Sequence, residues 1–266
     1  EMDKINFEEF YSTNEKFNNV NDWSHTGGRL IHLGQGNYLL SVADFQLDYP
    51  ILEKKVFSNE SIAGKTFIIN GDKSEIFSKG HRNIQGLFYD KKNEIIFSSE
   101  HGPTGGDEIN IHRNVFNQMK TPNYGWPEAS YGVHYQKVVN LNNEKGTYED
   151  LIKIAPLKKS HKENGFIEPI KYFAPYSVAA SEIEKSNKVF DENFTNDFYF
   201  GVLRNNLKYR GRLYHFKFDN KFEKVIFEDE IILKERIRDI IIPKDSENMY
   251  LLLESIPAIG IVKLLQ

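Results

Sequence analysis

The sequence predicts an all-β chain arranged as a β-propeller, and three observations predict it. Short strand-like apolar runs recur where long amphipathic helical patterns are absent. The runs come in pairs joined by polar, Gly- or Asn-bearing turns. The first two pairs lie about fifty to sixty residues apart, the range of a propeller blade. A β-sandwich with long loops is the plainer all-β alternative; the threefold return of one hairpin pattern favours the propeller.

The elements follow in order. "RLIHLGQGNYLLSVAD" (29–44) is a hairpin turning at 34–37. "GLFYDKKNEIIFSSE" (86–100) is a second, turning at 90–93, and "DIIIPKDSENMYLLLES" (239–255) a third, turning around 244–248. In each, the second strand ends on a small or acidic residue. "DFYFGVL" (197–203) and "GRLYHFKFD" (211–219) form another hairpin that "KVIFEDEIIL" (224–233) continues. The spacing in "SEIEKSNKVFDENF" (181–194) predicts a short helix or turn, and the Lys/Asn-rich 136–168 predicts a surface excursion between blades. No domain boundary is visible, so residues 1–266 are expected to form one propeller domain.

Composition narrows the function classes. A formal net charge of −4 with 27% charged residues offers no basic field for nucleic acid. The 14% aromatic content suits a β-rich interior. Without cysteine there is no disulfide, thiolate metal site or cysteine nucleophile. No apolar run reaches the roughly 18 residues that span a bilayer, and the polar first residues do not look like a secretion signal.

Four clusters carry residues suited to chemistry, each beside a strand end. In "WSHTGGRL" (23–30), His25 precedes a Gly-Gly, and an imidazole is the usual proton acceptor near neutral pH; an ordinary surface histidine is the plainer reading. Asp44, at the end of the same hairpin, is placed to orient it or to line the same site. In "GHRNIQGL" (80–87), Arg82 offers a fork for a carboxylate and Asn83 an amide. "SSEHGPTGGDEIN" (98–110) combines turn formers with Asp107 and Glu108, and calcium loop and plain surface turn stay equally open on spacing alone. In "ERIRDI" (235–240), Arg236 and Arg238 share one face of a strand, where they form either a pair of anchors for a polycarboxylate or a solvated edge.

In this order "SHTGGRL", "GHRNIQGL", "SSEHGPTGGDEIN", "NYGWPEASYG" and "RIRD" resemble the soluble glucose/sorbosone dehydrogenases, from about residue 23 to the C-terminus. These are six-bladed β-propellers of the quinoprotein dehydrogenase type that use pyrroloquinoline quinone (PQQ) and calcium. The resemblance implies that this chain covers about four to five of those blades. It makes His25 the base that takes the proton from the sugar C1 hydroxyl while hydride passes to the quinone C5, with Asp44 the acidic partner. It assigns cofactor and substrate contacts to Arg82, Asn83, Tyr135, Leu203, Arg204, Arg236, Ile237 and Arg238, with Lys208 the other match for a family lysine near 204. The backbone carbonyls of Gly102 and Pro103 would hold the calcium that polarises the quinone, and Glu108 and Tyr124 a second, structural calcium.

The resemblance further implies a sugar substrate, an external electron acceptor and a periplasmic or secreted setting. The chain departs from the family at Ile84, where proline is usual, in the longer link between "GGDE" and "NYGWP", and in the arginine that replaces the lysine. Six blades need roughly 300 residues or more, so an N-terminal segment or a second chain is expected to complete the ring. Two other functions remain in view: a non-catalytic propeller that has lost the cofactor, and a calcium-dependent propeller lactonase, in which the arginine pair has no evident role.

Overall fold

In a computed structural model, residues 8–13, 15–17, 25–47, 51–133, 157–186, 196–203, 211–244 and 246–263 are described. They form four antiparallel sheets in chain order. The first contains β1 (Gly27–Gly34), β2 (Asn37–Val42), β3 (Lys65–Asn70) and β4 (Lys73–Lys79). The second contains β5 (Ile84–Asp90), β6 (Ile95–Glu100), β7 (Glu108–His112) and the two-residue β8 (Lys171–Tyr172). The third contains β9 (Ala180–Lys185), β10 (Asp197–Val202), β11 (Arg212–Phe218) and β12 (Val225–Ile232), and the fourth β13 (Ile237–Ile241), β14 (Asn248–Leu253) and β15 (Ala258–Lys263). Each sheet is a meander, since strands adjacent in sequence are adjacent in space. The first strands pack side by side, β1 on β5, β5 on β9 and β9 on β13, which sets the four sheets around a common axis. This is a propeller arrangement.

Three cores lie between sheets. Leu33, Leu39, Ile68 and Phe77 of the first sheet meet Ile84, Leu87 and Ile96 of the second. Ile95, Phe97, Ile109 and Ile111 of the second meet Ile183, Phe198, Phe200 and Phe216 of the third. Tyr199 and Leu213 of the third meet Ile237, Ile240, Met249 and Leu251 of the fourth. The middle interface is the most aromatic: the Phe97 ring lies 4.4 Å from Phe198 and 5.5 Å from both Phe218 and Phe222. Rings at such separations add to the energy of area burial.

The four hairpins expected from sequence are present as β1–β2, β5–β6, β10–β11 and β13–β14. Two expectations are corrected. Within 181–194, where a short helix or turn was expected, 187–194 lie outside the described residues, and residues 181–185 belong to the inner strand β9. Its Glu182 and Glu184 alternate with Ile183 because they face the axis, an acidic face that imitates a solvated helix in sequence. The polar stretch from 136 also does not separate two blades. It leaves after β7 and returns to β8 of the same sheet, where Tyr172 and Lys171 pair with Glu108 and Ile109.

A helix α1 (Ile51–Phe57) and residues 8–13 and 15–17 lie against the first sheet. Leu52 and Val56 of α1 pack with Leu47, Ala63 and Trp126. Buried Lys65 donates to the Lys55 and Val56 carbonyls at the helix end and to Ala63, a cation where the helix dipole favours one. Phe10 meets Tyr38, and Phe17 stacks on Phe45 at 4.4 Å.

Packing between sheets predicts where stability resides. Phe97→Ala should cost about 3–5 kcal/mol by urea unfolding. Ile226→Ala, on the half-exposed outer strand, should change stability by no more than about 0.5 kcal/mol.

Candidate active site

The segments that lead into the four inner strands meet at one end of the axis. His25 stands two residues before β1, Arg82 and Asn83 directly before β5, Val178 and Ala179 before β9, and Arg236 before β13. Hydrogen bonds tie the segments in a row. Asp44 N–H donates to the Arg82 carbonyl at 2.9 Å, and His101 N–H to the Asn83 carbonyl at 2.9 Å. His101 Nε2 lies 2.6 Å from the Ala180 carbonyl, and Ser181 Oγ donates to the Arg238 carbonyl at 2.8 Å. A carbonyl only accepts, so His101 carries its proton on Nε2. Burial and the nearby Arg82 guanidinium push its pKa down to about 3, leaving it neutral at any working pH.

His25 is buried, with Nδ1 3.4 Å from Asp44 Oδ1. The Asp44 carboxylate is held on both oxygens, by the Gln46 N–H at 3.0 Å and by the Trp126 indole N–H at 2.9 Å. The Trp126 ring in turn lies under the Arg82 guanidinium, 5.5 Å away. Gly27 is required beside His25: its φ is +72°, and a Cβ there would stand 2.8 Å from Ala43 N.

In the second sheet, Glu100 takes the place that Asp44 holds in the first. Its carboxylate accepts from Arg82 N–H at 3.2 Å and pairs with His81 Nδ1 at 2.8 Å, both side chains being buried. In the fourth sheet the acid, Glu254, stands one position later, where the second sheet has His101 and the first Phe45. Its N–H donates to the Arg236 carbonyl at 2.9 Å. Its carboxylate lies 3.1 Å and 3.3 Å from Arg236 Nη2 and also accepts from Arg238 Nη2. Both guanidiniums therefore converge on one carboxylate, with Arg238 on β13, the first strand of its sheet, and Arg236 directly before it. Leu203 is buried; its carbonyl accepts from Arg236 Nη1 at 3.4 Å. Ile237 is buried in the core beside Tyr199, which leaves only its backbone facing the mouth.

The two expected calcium positions differ in fit. The Gly102 carbonyl already accepts from Arg82 Nη1 at 2.9 Å, and the Pro103 carbonyl from Gly106 N–H at 2.7 Å. The loop is drawn so tight that a Cβ on Gly102 would overlap the Gly106 carbonyl at 1.8 Å. With a guanidinium on the carbonyl, a cation does not fit there as the loop stands. Glu108 presents the opposite case. Its Oε2 and both side-chain polar atoms of Asn110 are buried without partners among the described residues. Burial and the Glu100, Glu168 and Asp107 carboxylates raise the Glu108 pKa well above its ordinary value. A hard cation suits such a donor set. The Tyr124 hydroxyl is turned to the Ile111 carbonyl, 2.9 Å away. Among the described residues no group of three or more His, Asp or Glu is arranged as a metal cluster. Tyr135, Arg204 and Lys208 lie outside the described residues.

One turn below the mouth, Arg29 crosses the axis. Its guanidinium reaches Glu182 and Asp239 at 3.1 Å each and the Arg238 carbonyl at 3.0 Å. Glu182 also accepts from Leu87 N–H at 2.9 Å, so it joins three sheets. Sequence reasoning did not single out Arg29, His101, Trp126 or Glu254 for these contacts. The one signal for Glu254 was that the second strand of its hairpin ends on an acid, as in the earlier hairpins.

All-β meanders around an axis, with basic and acidic side chains gathered at one end, define the class as a propeller with a polar mouth. The model of the glucose/sorbosone dehydrogenase family matches residues 2–259, and the chain belongs to that family. It is 34% identical over 122 residues to aldose sugar dehydrogenase YliI of Escherichia coli, covering 42% of this chain and 31% of that protein. It is 34% identical over 114 residues to quinoprotein glucose dehydrogenase B of Acinetobacter calcoaceticus, covering 38% and 22%. The crystal structure of the soluble aldose sugar dehydrogenase from Escherichia coli in the apo-form superposes with a TM-score of 0.63 at 25% identity, over 86% of this chain and 61% of that one. The chain spans half or less of the length of the curated relatives it matches.

Two measurements test these electrostatics. Glu184 faces Glu182 and Asp239, and burial with those two charges pushes its pKa from 4.5 up to about 8. The folded state then binds the extra proton between those values, so its stabilising contribution is complete below pH 4.5 and lost as pH rises through 8. Urea unfolding should show Glu184→Gln stabilising the protein at pH 8 and leaving it little changed at pH 4.5. Glu108→Gln should stabilise the calcium-free protein by about 1–3 kcal/mol and abolish any rise of Tm on adding calcium.

Proposed function

We propose that this chain carries the reaction mouth of a PQQ- and calcium-dependent dehydrogenase that oxidises an aldose at C1 to the lactone. Membership of the family supports a sugar dehydrogenase in general. The observation that carries the finer reading is that His25 with its partner Asp44, Arg82 and the Arg236/Arg238 pair all lie where the inner strands begin, at one end of the axis.

Each side chain has work suited to its geometry. Asp44, fixed by Gln46 and Trp126, holds Nδ1 of His25 and directs the proton to that nitrogen. Nε2 then carries the lone pair, and it accepts the proton of the C1 hydroxyl as the C1–O double bond forms and C1 gives up its hydrogen with two electrons. Arg236 and Arg238 bind cofactor carboxylates, with Leu203 and Ile237 supplying backbone beside them. Arg82 and Asn83 orient cofactor and sugar. When bound, the quinone supplies the two-electron acceptor, later reoxidised by an external electron acceptor. Glu108 with Asn110 is the better supported calcium position. Loading calcium on Gly102 and Pro103 requires Arg82 to leave the Gly102 carbonyl. Tyr135 and Arg204 complete the proposed cofactor contacts. A periplasmic or secreted setting goes with this reading; among the described residues no helix is long and apolar enough to cross a membrane.

The position of Arg82 also favours a second reading, a binding module that no longer takes the cofactor. Titration with PQQ and calcium separates the two, because a module without cofactor leaves the quinone absorption unshifted. In cofactor-loaded protein, His25→Ala should lower dye-linked aldose oxidation by at least about 10²-fold, with circular dichroism checking that the fold is retained. Unchanged turnover would remove His25 from the role of base.

A further inference from the structure

Three sheets carry a related contact, at one register position in the first two and one residue later in the fourth, with a different exposure there. In the first, second and fourth sheets the acid that ends the second strand binds a basic side chain from the segment that begins the first: Asp44 with His25, Glu100 with His81, Glu254 with Arg236 and Arg238. The first two carboxylates are sealed, their side chains 2% and 1% exposed, so they act as fixed struts. The Glu254 side chain is 39% exposed, and the arginines it holds are 32% and 37% exposed. An ion pair open to water is weak and exchangeable, whereas a sealed one is not.

The geometry points to Glu254 as a built-in carboxylate that occupies the Arg236/Arg238 anion site and is displaced by a ligand bearing two or more carboxylates. The inference rests on the reading of that pair as the cofactor's carboxylate anchor, and it adds a residue that decides which anions enter. With Glu254 in place, three charges sum to a single positive charge, and the two like charges are held together. A monocarboxylate that replaced Glu254 would exchange one pair for another, against a competitor kept at high effective concentration by its own backbone. A rigid ligand with two carboxylates gives one to each guanidinium and gains a second charge-assisted contact in the same step. Glu254 therefore excludes monocarboxylates while it admits polycarboxylates at a modest loss of affinity. The three groups belong to the fourth sheet, Arg236 directly before β13, Arg238 in it and Glu254 directly after β14, and the Glu254 N–H to Arg236 carbonyl bond keeps the carboxylate within reach after displacement.

Calorimetric titration of the protein with two probes, PQQ and the redox-inert benzene-1,2,4-tricarboxylate, tests this. Both should bind, and Glu254→Gln should bind each about two- to fivefold tighter, the range an exposed ion pair can supply. Acetate should bind neither the parent nor compete with the probes in it, but should compete measurably in Glu254→Gln. Glu254→Ala provides the same comparison if the glutamine variant fails to fold, with Tm as the check on both. Equal or weaker probe binding by the variants overturns the inference, as does failure of both probes to bind any form. If the tricarboxylate shows the gain and the quinone binds no form, the displaced carboxylate stands and the quinone reading falls. If the quinone binds with no effect of Glu254, the reverse holds.

Discussion

The structure depends on apolar sheet faces packing against one another around an axis. Phe97 of the second sheet is covered by Phe198 and Phe218 of the third and by Phe222 in the turn after β11. That face-to-face burial brings the first strands of successive sheets side by side. Once β1, β5, β9 and β13 are neighbours, the segments leading into them must share one end of the axis. The mouth is thus a consequence of core packing, and its residues need no proximity in sequence.

On that frame the chain repeats a polar device. An acid at the end of the second strand reaches back to a basic group at the start of the first, and a backbone bond runs beside it, from Phe45 to His25 and from Glu254 to Arg236. In the third sheet Leu203 stands where the fourth has Glu254, its N–H donating to the Ala179 carbonyl, and Val202 stands where the second has Glu100. Asp107 serves that sheet instead, accepting from Val178 N–H at 2.9 Å, with burial pushing its pKa up to about 6. What differs among the sheets is solvent access. Buried pairs hold loops rigid, and the exposed one at Glu254 leaves two guanidiniums able to change partner.

Much of this was legible in the residues. Alternating apolar runs with Gly/Asn turns marked four of the hairpins, because a strand that buries one or both faces writes its period into the sequence. The order of the motifs around His25, Arg82, Gly102 and Arg236 marked the family. β9 was not legible, since its Glu182 is matched by Arg29, 153 residues away in the chain. Nor was the place of the long excursion, because the two residues of β8 that return it to its sheet carry no periodic signal.

By itself the sequence determined the class of fold, the hairpins and the set of groups available for chemistry, since these rest on local periodicity, turn conformation and residue type. Only the tertiary structure decided which charges meet. It set Arg82 on the Gly102 carbonyl, Arg29 across the axis to Glu182 and Asp239, and Glu254 on both arginines. Partner choice among distant side chains follows from how the sheets pack and which pairs they seal from water, and neither is a property of any single segment.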